Sequence, residues 1–331
     1  MPANYATVAI SIVIPTFQRR DALLRLLRTL EQQSVSPDTF EVLVGVDGST
    51  DGTVEMLESL HPPYRLRWVH QANAGRASAC NAAIAQASGD LVVILDDDME
   101  PTLDLLASHQ RAHTGGTRRC VMGAAPIRVD DAAAPHIRYV ADKFGEHLRR
   151  LERPDHDFQL RDFYSGNASV RRDELIAVGL FDVDFRTYGN EDLELAHRLL
   201  ANGVPLAFSP DALARQHYEK SLGALVRDEY SKGRTAVLFA TKHPDAVPGL
   251  KLTTLQSQRP RRRAARRALL WATRFSARVP GLIVGGMAVL ERLVPNRLAH
   301  VYRFALEYFY MLGVEEAIAG RRHVSTAETR R

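Results

Sequence analysis

Cysteine is scarce in this 331-residue chain, which has only Cys80 and Cys120. Two isolated cysteines exclude a disulfide-stabilised scaffold and a cysteine-rich metal site, so we expect a reducing compartment, the cytoplasm. Uncharged apolar runs long enough to span a membrane are also lacking. The apolar run at residues 10–14 has neither the basic region nor the cleavage site of a secretion signal. We therefore expect a globular protein with a large core.

Acidic residues are rare in the last quarter of the chain. Residues 251–331 contain sixteen Lys and Arg against five Glu, a net charge of +11, whereas residues 1–250 carry a net charge of −7. A segment rich in Pro and Gly, residues 244–249, lies where the composition changes. This pattern predicts a catalytic domain over residues 1–245 and a basic, helical region over residues 246–331.

The first hundred residues alternate between short apolar runs and segments with apolar residues at helical spacing. This order predicts an α/β fold with a doubly wound, mostly parallel sheet. The run LVVIL at residues 91–95 is typical of a strand buried on both faces. Ligands of such sheets bind beyond the carboxyl ends of the strands, so the turns after residues 14, 46 and 95 are candidate binding loops on one edge.

Three consecutive carboxylates, Asp96, Asp97 and Asp98, follow the run at residues 91–95. Clustered carboxylates are unfavourable without a compensating cation, and hard oxygen ligands suit Mg²⁺ or Mn²⁺. The alternative is an acidic helix start at Asp98 before Pro101, which explains one aspartate better than three.

Other polar segments fall where the same edge is expected. Residues 46–53 combine glycines, hydroxyls and Asp47, although Asp51 alone is also typical of a helix cap. Residues 73–81 begin a helix with Arg76, a cation suited to a phosphate or a uracil carbonyl. Far downstream, Glu191 and Asp192 open a helix, where capping is a competing explanation.

The ordered motifs are S-I-V-I-P-T at residues 11–16, D-G-S-T-D-G-T at 47–53, the segment at 73–81, the segment at 89–98 that ends in the three acids, Gly166-Asn167 and Glu191-Asp192. With these motifs the chain resembles, over about residues 8–220, the family 2 glycosyltransferases, which have the GT-A fold. The resemblance implies an inverting hexosyltransferase that uses a nucleotide diphosphate sugar, a UDP- or GDP-sugar.

The resemblance also implies roles for individual residues. Asp192 would be the general base that deprotonates the acceptor hydroxyl, and Glu191 would orient the acceptor. The implied metal ligands are Asp98, Asp96 and His217, although His217 by itself is typical of a strand-end histidine. The implied donor contacts are Pro15, Thr16, Asp47, Ser49, Arg76, Asp96, Asp97, Gly166 and Asn167.

Two departures from the family pattern matter. Many relatives have two adjacent acids before Gly-Ser, and the first of those places is Val46 here, which leaves the nucleobase open. The Q-x-x-R-W motif of processive synthases is missing, since the nearest run, at residues 258–262, has no tryptophan. We therefore expect a non-processive enzyme. The acceptor that we expect is a cell-surface glycan or a lipid-linked oligosaccharide.

Two other functions compete with glycosyl transfer. A sugar-1-phosphate nucleotidyltransferase would need a glycine-rich basic loop after the first strand, which residues 15–20 lack. A non-catalytic scaffold that binds nucleotide or membrane would not need Asp96, Asp98 and Asp192 intact.

The basic tail has two open interpretations. Arginines at residues 259–267, beside Leu269, Trp271 and Phe275, are typical of an amphipathic helix at an anionic membrane, which would place the protein peripherally on the inner face of the cytoplasmic membrane. Equally, residues 282–293 and 298–312 could form a helical hairpin packed on the catalytic domain. Nucleic acid is not expected as a partner, because no recognisable binding motif interleaves aromatic residues with the arginines.

Overall fold

A computed structural model describes residues 9–116, 118–256 and 260–328, and only the backbone of residues 254, 256, 296 and 321–328. Arg259, in the predicted basic helix, and Gln258 lie outside the described residues. The chain divides into two compact units. The first comprises residues up to 128, 144–186 and 191–218, and the second comprises residues 129–143, 187–190 and 219 onward. The predicted boundary at residue 246 thus lies within the second unit.

The described residues form nine strands in two sheets. They are β1 (Ile10–Thr16), β2 (Phe40–Asp47), β3 (Arg65–Gln71), β4 (Leu91–Leu95), β5 (Met99–Pro101), β6 (Cys120–Gly123), β7 (Asn167–Arg171), β8 (Leu206–Ser209) and β9 (Ala214–Gln216). The larger sheet has the order β3-β2-β1-β4-β7-β6-β8. Only β7 runs antiparallel to its neighbours, β4 and β6. The predicted mostly parallel α/β sheet is confirmed.

Helices connect the strands and form the carboxyl-terminal region. They are α1 (Arg20–Leu30), α2 (Thr53–Ser59), α3 (Arg76–Ile84), α4 (Leu105–Ala112), α5 (Pro135–Leu151), α6 (Arg172–Ala177), α7 (Glu191–Ala201), α8 (Leu222–Lys242), α9 (Lys251–Gln256), α10 (Pro260–Phe275), α11 (Val279–Leu293) and α12 (Ala299–Glu328). Short 3₁₀ turns supplement them, including Pro244–Gly249. No helix within the described ranges combines the length and the apolar character needed to cross a bilayer.

Apolar side chains fill both faces of the central strands. Every residue of β1, β2 and β4 is buried, as expected for interior strands of a sheet covered by helices on both sides. The leucines of α1, at helical spacing, lie in the cluster on one face, and α3 packs small residues on the other face. Because β2, β1 and β4 are parallel neighbours, their carboxyl ends meet at one edge of the sheet.

In the second unit, α8 packs closely against α12. Glycines allow this approach, since a Cβ atom at Gly233 would overlap the carbonyl oxygen of Tyr310, and one at Gly313 would overlap the carbonyl oxygen of Tyr230. Backbones in such close contact leave no room for even a methyl group. This helix pair explains why the second unit begins well before residue 246.

Gly233→Ala is expected to destabilise the second unit by about 1–3 kcal/mol, because the added methyl group overlaps backbone that cannot yield without separating the helices. Scanning calorimetry measures the loss as a lower transition temperature. Gly285→Ala in α11 is the matched control, since nothing lies within 4 Å of its Cβ position. Equal stability of the Gly233→Ala protein would contradict the close packing.

Candidate active site

The three aspartates after β4 lie in a tight turn at the carboxyl edge of the sheet. The backbone N–H of Asp96 donates to the carbonyl oxygen of Gly166, 2.9 Å away, and β5 follows the turn directly. The alternative of a helix start at Asp98 is therefore wrong, because the chain continues as a strand that pairs with β9. Asp97 and Asp98 are buried, whereas the side chain of Asp96 is one-third exposed.

Two arginines pair with the carboxylates of this acidic turn. Arg76 Nη2 is 2.8 Å from Asp96 Oδ1. Arg19 Nη2 is 3.2 Å from Asp98 Oδ2, and its Nε is 3.4 Å from Asp97 Oδ1. Arg19 immediately precedes α1 and was not among the residues predicted from the sequence.

Asp97 is buried to nearly the same degree as Asp98. The hydroxyl of Thr16, at the end of β1, donates to Asp97 Oδ2 at 2.8 Å. Burial raises the pKa of Asp97 to about 7, although Arg19 and the Thr16 hydroxyl act in the opposite direction. Thr16 is itself buried, so in this conformation it supports the acidic turn. Pro15 pairs with Gly45 within the sheet just before it.

The strand pair β5–β9 brings His217 beside Asp98. The backbone N–H of His217 donates to the carbonyl oxygen of Asp98 at 2.8 Å, while its Nε2 is 2.6 Å from Glu100 Oε2. In this arrangement Nε2 faces Glu100, so only Nδ1 is left for a metal. Gln216 Nε2 lies 3.3 Å from both carboxylate oxygens of Asp98.

The turn after β2 is organised by Asp47 and Ser49. Asp47 is buried and accepts hydrogen bonds from the backbone N–H groups of Ala74 and Gly75 at 2.8 and 2.9 Å. Ser49 Oγ accepts from the backbone N–H of Gln18 at 2.9 Å. Asp47 and Ser49 thus connect the loops that follow β1, β2 and β3, next to the acidic turn.

Arg76 links the acidic turn to the start of α7. Its Nη1 lies 3.8 Å from Glu191 Oε1, and its guanidinium sits 5.8 Å from the centre of the Phe181 ring. Nη1 is buried and has no hydrogen-bond partner among the described residues, so it is positioned to donate to a further acceptor. Asp192 follows Glu191 in the first turn of α7, where its Oδ1 accepts from the N–H of Leu193.

Gly166 precedes β7, which begins at Asn167 beside the acidic turn. Asn167 is fully buried, and its amide group donates to the carbonyl oxygens of Ala124 and Ala212. Its Oδ1 must therefore accept from His109 Nε2, 2.9 Å away. In this conformation the amide group of Asn167 is engaged in hydrogen bonds within the protein, and its contact with the donor stays a prediction.

If Asp96 binds the metal and the nucleotide as the sequence predicts, Gly166→Ala should weaken that binding about tenfold, because a Cβ atom there would lie 2.5 Å from Asp96 Oδ2 and 3.1 Å from its Cγ. The carboxylate must then move. Titration calorimetry with Mn²⁺ and a nucleoside diphosphate measures the effect. Gly145→Ala is the control, since its Cβ would meet only the flexible end of Arg149 at 3.4 Å. An unchanged affinity would show that the position of Asp96 is unimportant.

The buried pair His109 and His113 predicts an acid-sensitive fold. Burial lowers the pKa of both histidines to about 4, and both contact the hydroxyl of Ser169. The unfolded chain takes up protons below pH about 6.5, whereas the folded protein does not, so stability falls as the pH drops from about 6.5 to 4. We expect a loss of about 3 kcal/mol for the fully buried His109.

Denaturant unfolding between pH 4 and 7 measures this slope. His109→Gln should flatten it, while His70→Gln, at an exposed histidine on β3, should leave it unchanged. A His109→Gln protein with the original slope would assign the pH dependence to other groups.

The oxygen-rich turn fits a divalent cation. Asp96 and Asp98 offer hard carboxylate oxygens of the kind that Mg²⁺ and Mn²⁺ prefer, and Asp98 is buried. Arg19 and Arg76 offset part of the charge of the three acids. His217 would add a nitrogen ligand through Nδ1, with Glu100 fixing its ring as carboxylates commonly do for metal-bound histidines.

The fold and the sequence both agree with known proteins. The doubly wound sheet with its antiparallel β7 is the GT-A fold, shared with a mannosyltransferase, PcManGT from Pyrobaculum calidifontis, solved with GDP-Man and Mn²⁺ (TM-score 0.62, 21% identity, 93% of this chain and 86% of that one). Residues 1–349 of TarS from S. aureus, solved with UDP-GlcNAc, also share it (TM-score 0.54, 16% identity, 94% and 92% coverage). The model of glycosyl transferase family 2 matches residues 11–179. The chain belongs to this family.

Among curated proteins, the validoxylamine A glucosyltransferase of Streptomyces hygroscopicus subsp. limoneus is 30% identical over 270 residues, which cover 73% of this chain and 58% of that protein. The chondroitin synthase of Pasteurella multocida (strain Pm70) is 26% identical over 231 residues, covering 61% and 24% respectively. The chain therefore spans less than two thirds of the length of these relatives.

Proposed function

We propose that the protein is an inverting, metal-dependent glycosyltransferase that moves a sugar from a nucleotide diphosphate sugar to a hydroxyl group. One observation carries the proposal: Arg76 contacts both Asp96 of the acidic turn and Glu191 at the start of α7. The carboxylates proposed to bind the donor and those proposed to activate the acceptor therefore lie on either side of the Arg76 side chain. The solved relatives with GDP-Man or UDP-GlcNAc support a GDP- or UDP-sugar as donor.

The residues divide the chemistry between them. Asp192 takes the proton of the acceptor hydroxyl while the hydroxyl oxygen attacks C1 of the donor sugar. Glu191 and Arg76 orient the reactants. Asp96 and Asp98, with His217 through Nδ1, would hold Mg²⁺ or Mn²⁺. The cation, when bound, would offset negative charge on the diphosphate leaving group. Attack opposite that leaving group inverts the anomeric centre.

Asp47, Ser49 and Thr16 contribute indirectly in this proposal. Their side chains are engaged in hydrogen bonds that fix the loops around the acidic turn. Nucleoside contacts would then come from the backbone of these loops and from the exposed ring of Phe17. Cell-surface polysaccharide or glycolipid synthesis is the proposed setting, because the chondroitin synthases are among the relatives.

A donor screen tests the proposed function. The protein, with Mn²⁺, is incubated with UDP- and GDP-sugars and a set of hydroxyl acceptors, and nucleoside diphosphate release is measured. We expect one donor class to be turned over, with product NMR showing the inverted anomer. Release of pyrophosphate from a nucleoside triphosphate and a sugar 1-phosphate would instead identify a nucleotidyltransferase. Donor binding without turnover of any acceptor would favour a non-catalytic scaffold.

A further inference from the structure

The outward face of α10 combines arginines with two large aromatic side chains. Arg267, Trp271 and Phe275 follow one another at four-residue spacing and are all exposed. Trp271 is 62% exposed and Phe275 74% exposed, and their ring centres are 4.6 Å apart. Such side chains are among the least expected to face water in a globular protein.

The next helix, α11, has an apolar outer stripe. Leu282 is 72% exposed, Val289 54% and Leu293 70%, at spacings of seven and four residues that place them on one helix face. Only glycines, Gly285 and Gly286, lie exposed between Leu282 and Val289. The opposite face is already packed, since Met287 is buried with Leu298 and Tyr302. The side chains of the outer stripe therefore do not contribute to the packing of this unit.

Positive charge surrounds these apolar side chains. Helix α10 contains no acidic residue. In α11 and α12 the described acidic side chains already have partners: Glu291 with His136, Glu307 with Arg262, Glu315 with Arg274 and Glu316 with Tyr230. Arg267, Arg278 and Arg292 are exposed and have no acidic partner among the described side chains.

We propose that the outer faces of α10 and α11 bind the surface of an anionic lipid bilayer. Trp271, Phe275 and Leu282 would enter the boundary between headgroups and acyl chains, and the unpaired arginines would contact lipid phosphates. A second copy of the chain is a poorer occupant, because its arginines would meet those of the first copy. The proposal does not depend on the proposed function, since it uses no residue of the acidic turn.

Trp271 fluorescence provides a direct test. The chain has two tryptophans, so Trp68→Phe leaves Trp271 as the sole reporter. On addition of vesicles containing phosphatidylglycerol, we expect the emission of the full-length protein to shift to shorter wavelength and to be quenched by brominated acyl chains. Unchanged emission at saturating vesicle concentration would overturn the proposal. An equal shift with pure phosphatidylcholine vesicles would overturn the part played by anionic lipid.

Paired variants locate the contact surface. Leu282→Glu with Leu293→Glu should lower vesicle partitioning about tenfold or more in co-sedimentation, because two apolar side chains lose their burial and gain charge. The control, Ile176→Glu with Val183→Glu, changes two residues of the first unit that are 52% and 50% exposed, and should not alter partitioning. Arg267→Gln with Arg278→Gln should reduce the dependence of binding on salt.

Light scattering separates the membrane from self-association. A dimer of the parent protein that dissociates in the Leu282→Glu, Leu293→Glu variant would assign the stripe to an interface between copies and overturn the proposal. The proposal would also be overturned if the Leu282→Glu, Leu293→Glu variant bound vesicles as well as the parent protein. Asp192→Asn should bind vesicles normally, so a failed glycosyl transfer assay and a failed vesicle assay are distinguishable.

Discussion

Asp192→Asn is expected to lower kcat about 10²- to 10⁴-fold while donor binding stays close to that of the parent protein. Asparagine has nearly the same shape as aspartate but cannot take the proton of the acceptor hydroxyl. Its Oδ1 can still accept from the N–H of Leu193, so the first turn of α7 should remain intact. Initial rates at saturating donor and acceptor, together with calorimetric donor binding, measure the two effects separately.

Asp173→Asn is a closely matched control for this prediction. Asp173 is also the second residue of a helix, α6, and its Oδ1 accepts from the N–H of the next residue, Glu174, as that of Asp192 does from Leu193. It should leave kcat unchanged. If both variants lose activity equally, helix capping explains the effect. If neither does, Asp192 is not the general base and Glu191 becomes the next residue to test.

The central sheet could be predicted from the sequence because its local pattern and its tertiary environment agree. Residues 91–95 are apolar without alternation, and β4 is buried on both faces. The order of strands and helices then required parallel neighbours, which places the turns after β1, β2 and β4 on one edge. Because residues 96–98 follow β4 directly, their acidic side chains had to lie at that edge of the sheet.

Side-chain pairing within the site could not be predicted in the same way. Arg19 follows β1 by three residues, at the expected edge, but nothing local distinguishes it from the neighbouring Arg20, which pairs with Asp21. The partner of His217 depends on the register of β9 against β5, a long-range pairing with no sequence signal. Nor does the sequence show that the side chain of Asn167, a predicted donor contact, is buried within β7.

The residue bounds of the second unit could not be predicted from the sequence, because they too depend on long-range packing. Composition changes near residue 246, and that change was the basis of the predicted boundary. Packing depends on which helices fit together, and α8 fits α12 through Gly233 and Gly313, which are 80 positions apart. A single glycine within a helix has many explanations in a sequence, so this contact becomes visible only when the two backbones are placed side by side.

Asp98→Asn is expected to reduce metal-dependent binding of a nucleoside diphosphate about 100-fold or more. Asp98 is a buried carboxylate of the acidic turn that contacts Gln216 and Arg19, so asparagine would fill the same space while removing the charge. Calorimetric titration of UDP and GDP, each with Mn²⁺ and with EDTA, measures the loss. The difference between the two titrations should shrink in the variant.

Asp90→Asn tests whether this loss belongs to the metal site. Asp90 is exposed and lies at the other end of β4, at the edge of the sheet away from the acidic turn. Asp90→Asn removes the same charge as Asp98→Asn from a position that flanks the same strand, so a general electrostatic effect would weaken both variants alike. A loss confined to Asp98→Asn and to the titrations with Mn²⁺ assigns the cation to the acidic turn. If the Asp98→Asn protein binds the nucleoside diphosphate with Mn²⁺ as tightly as the parent protein, Asp98 is not a ligand of the ion.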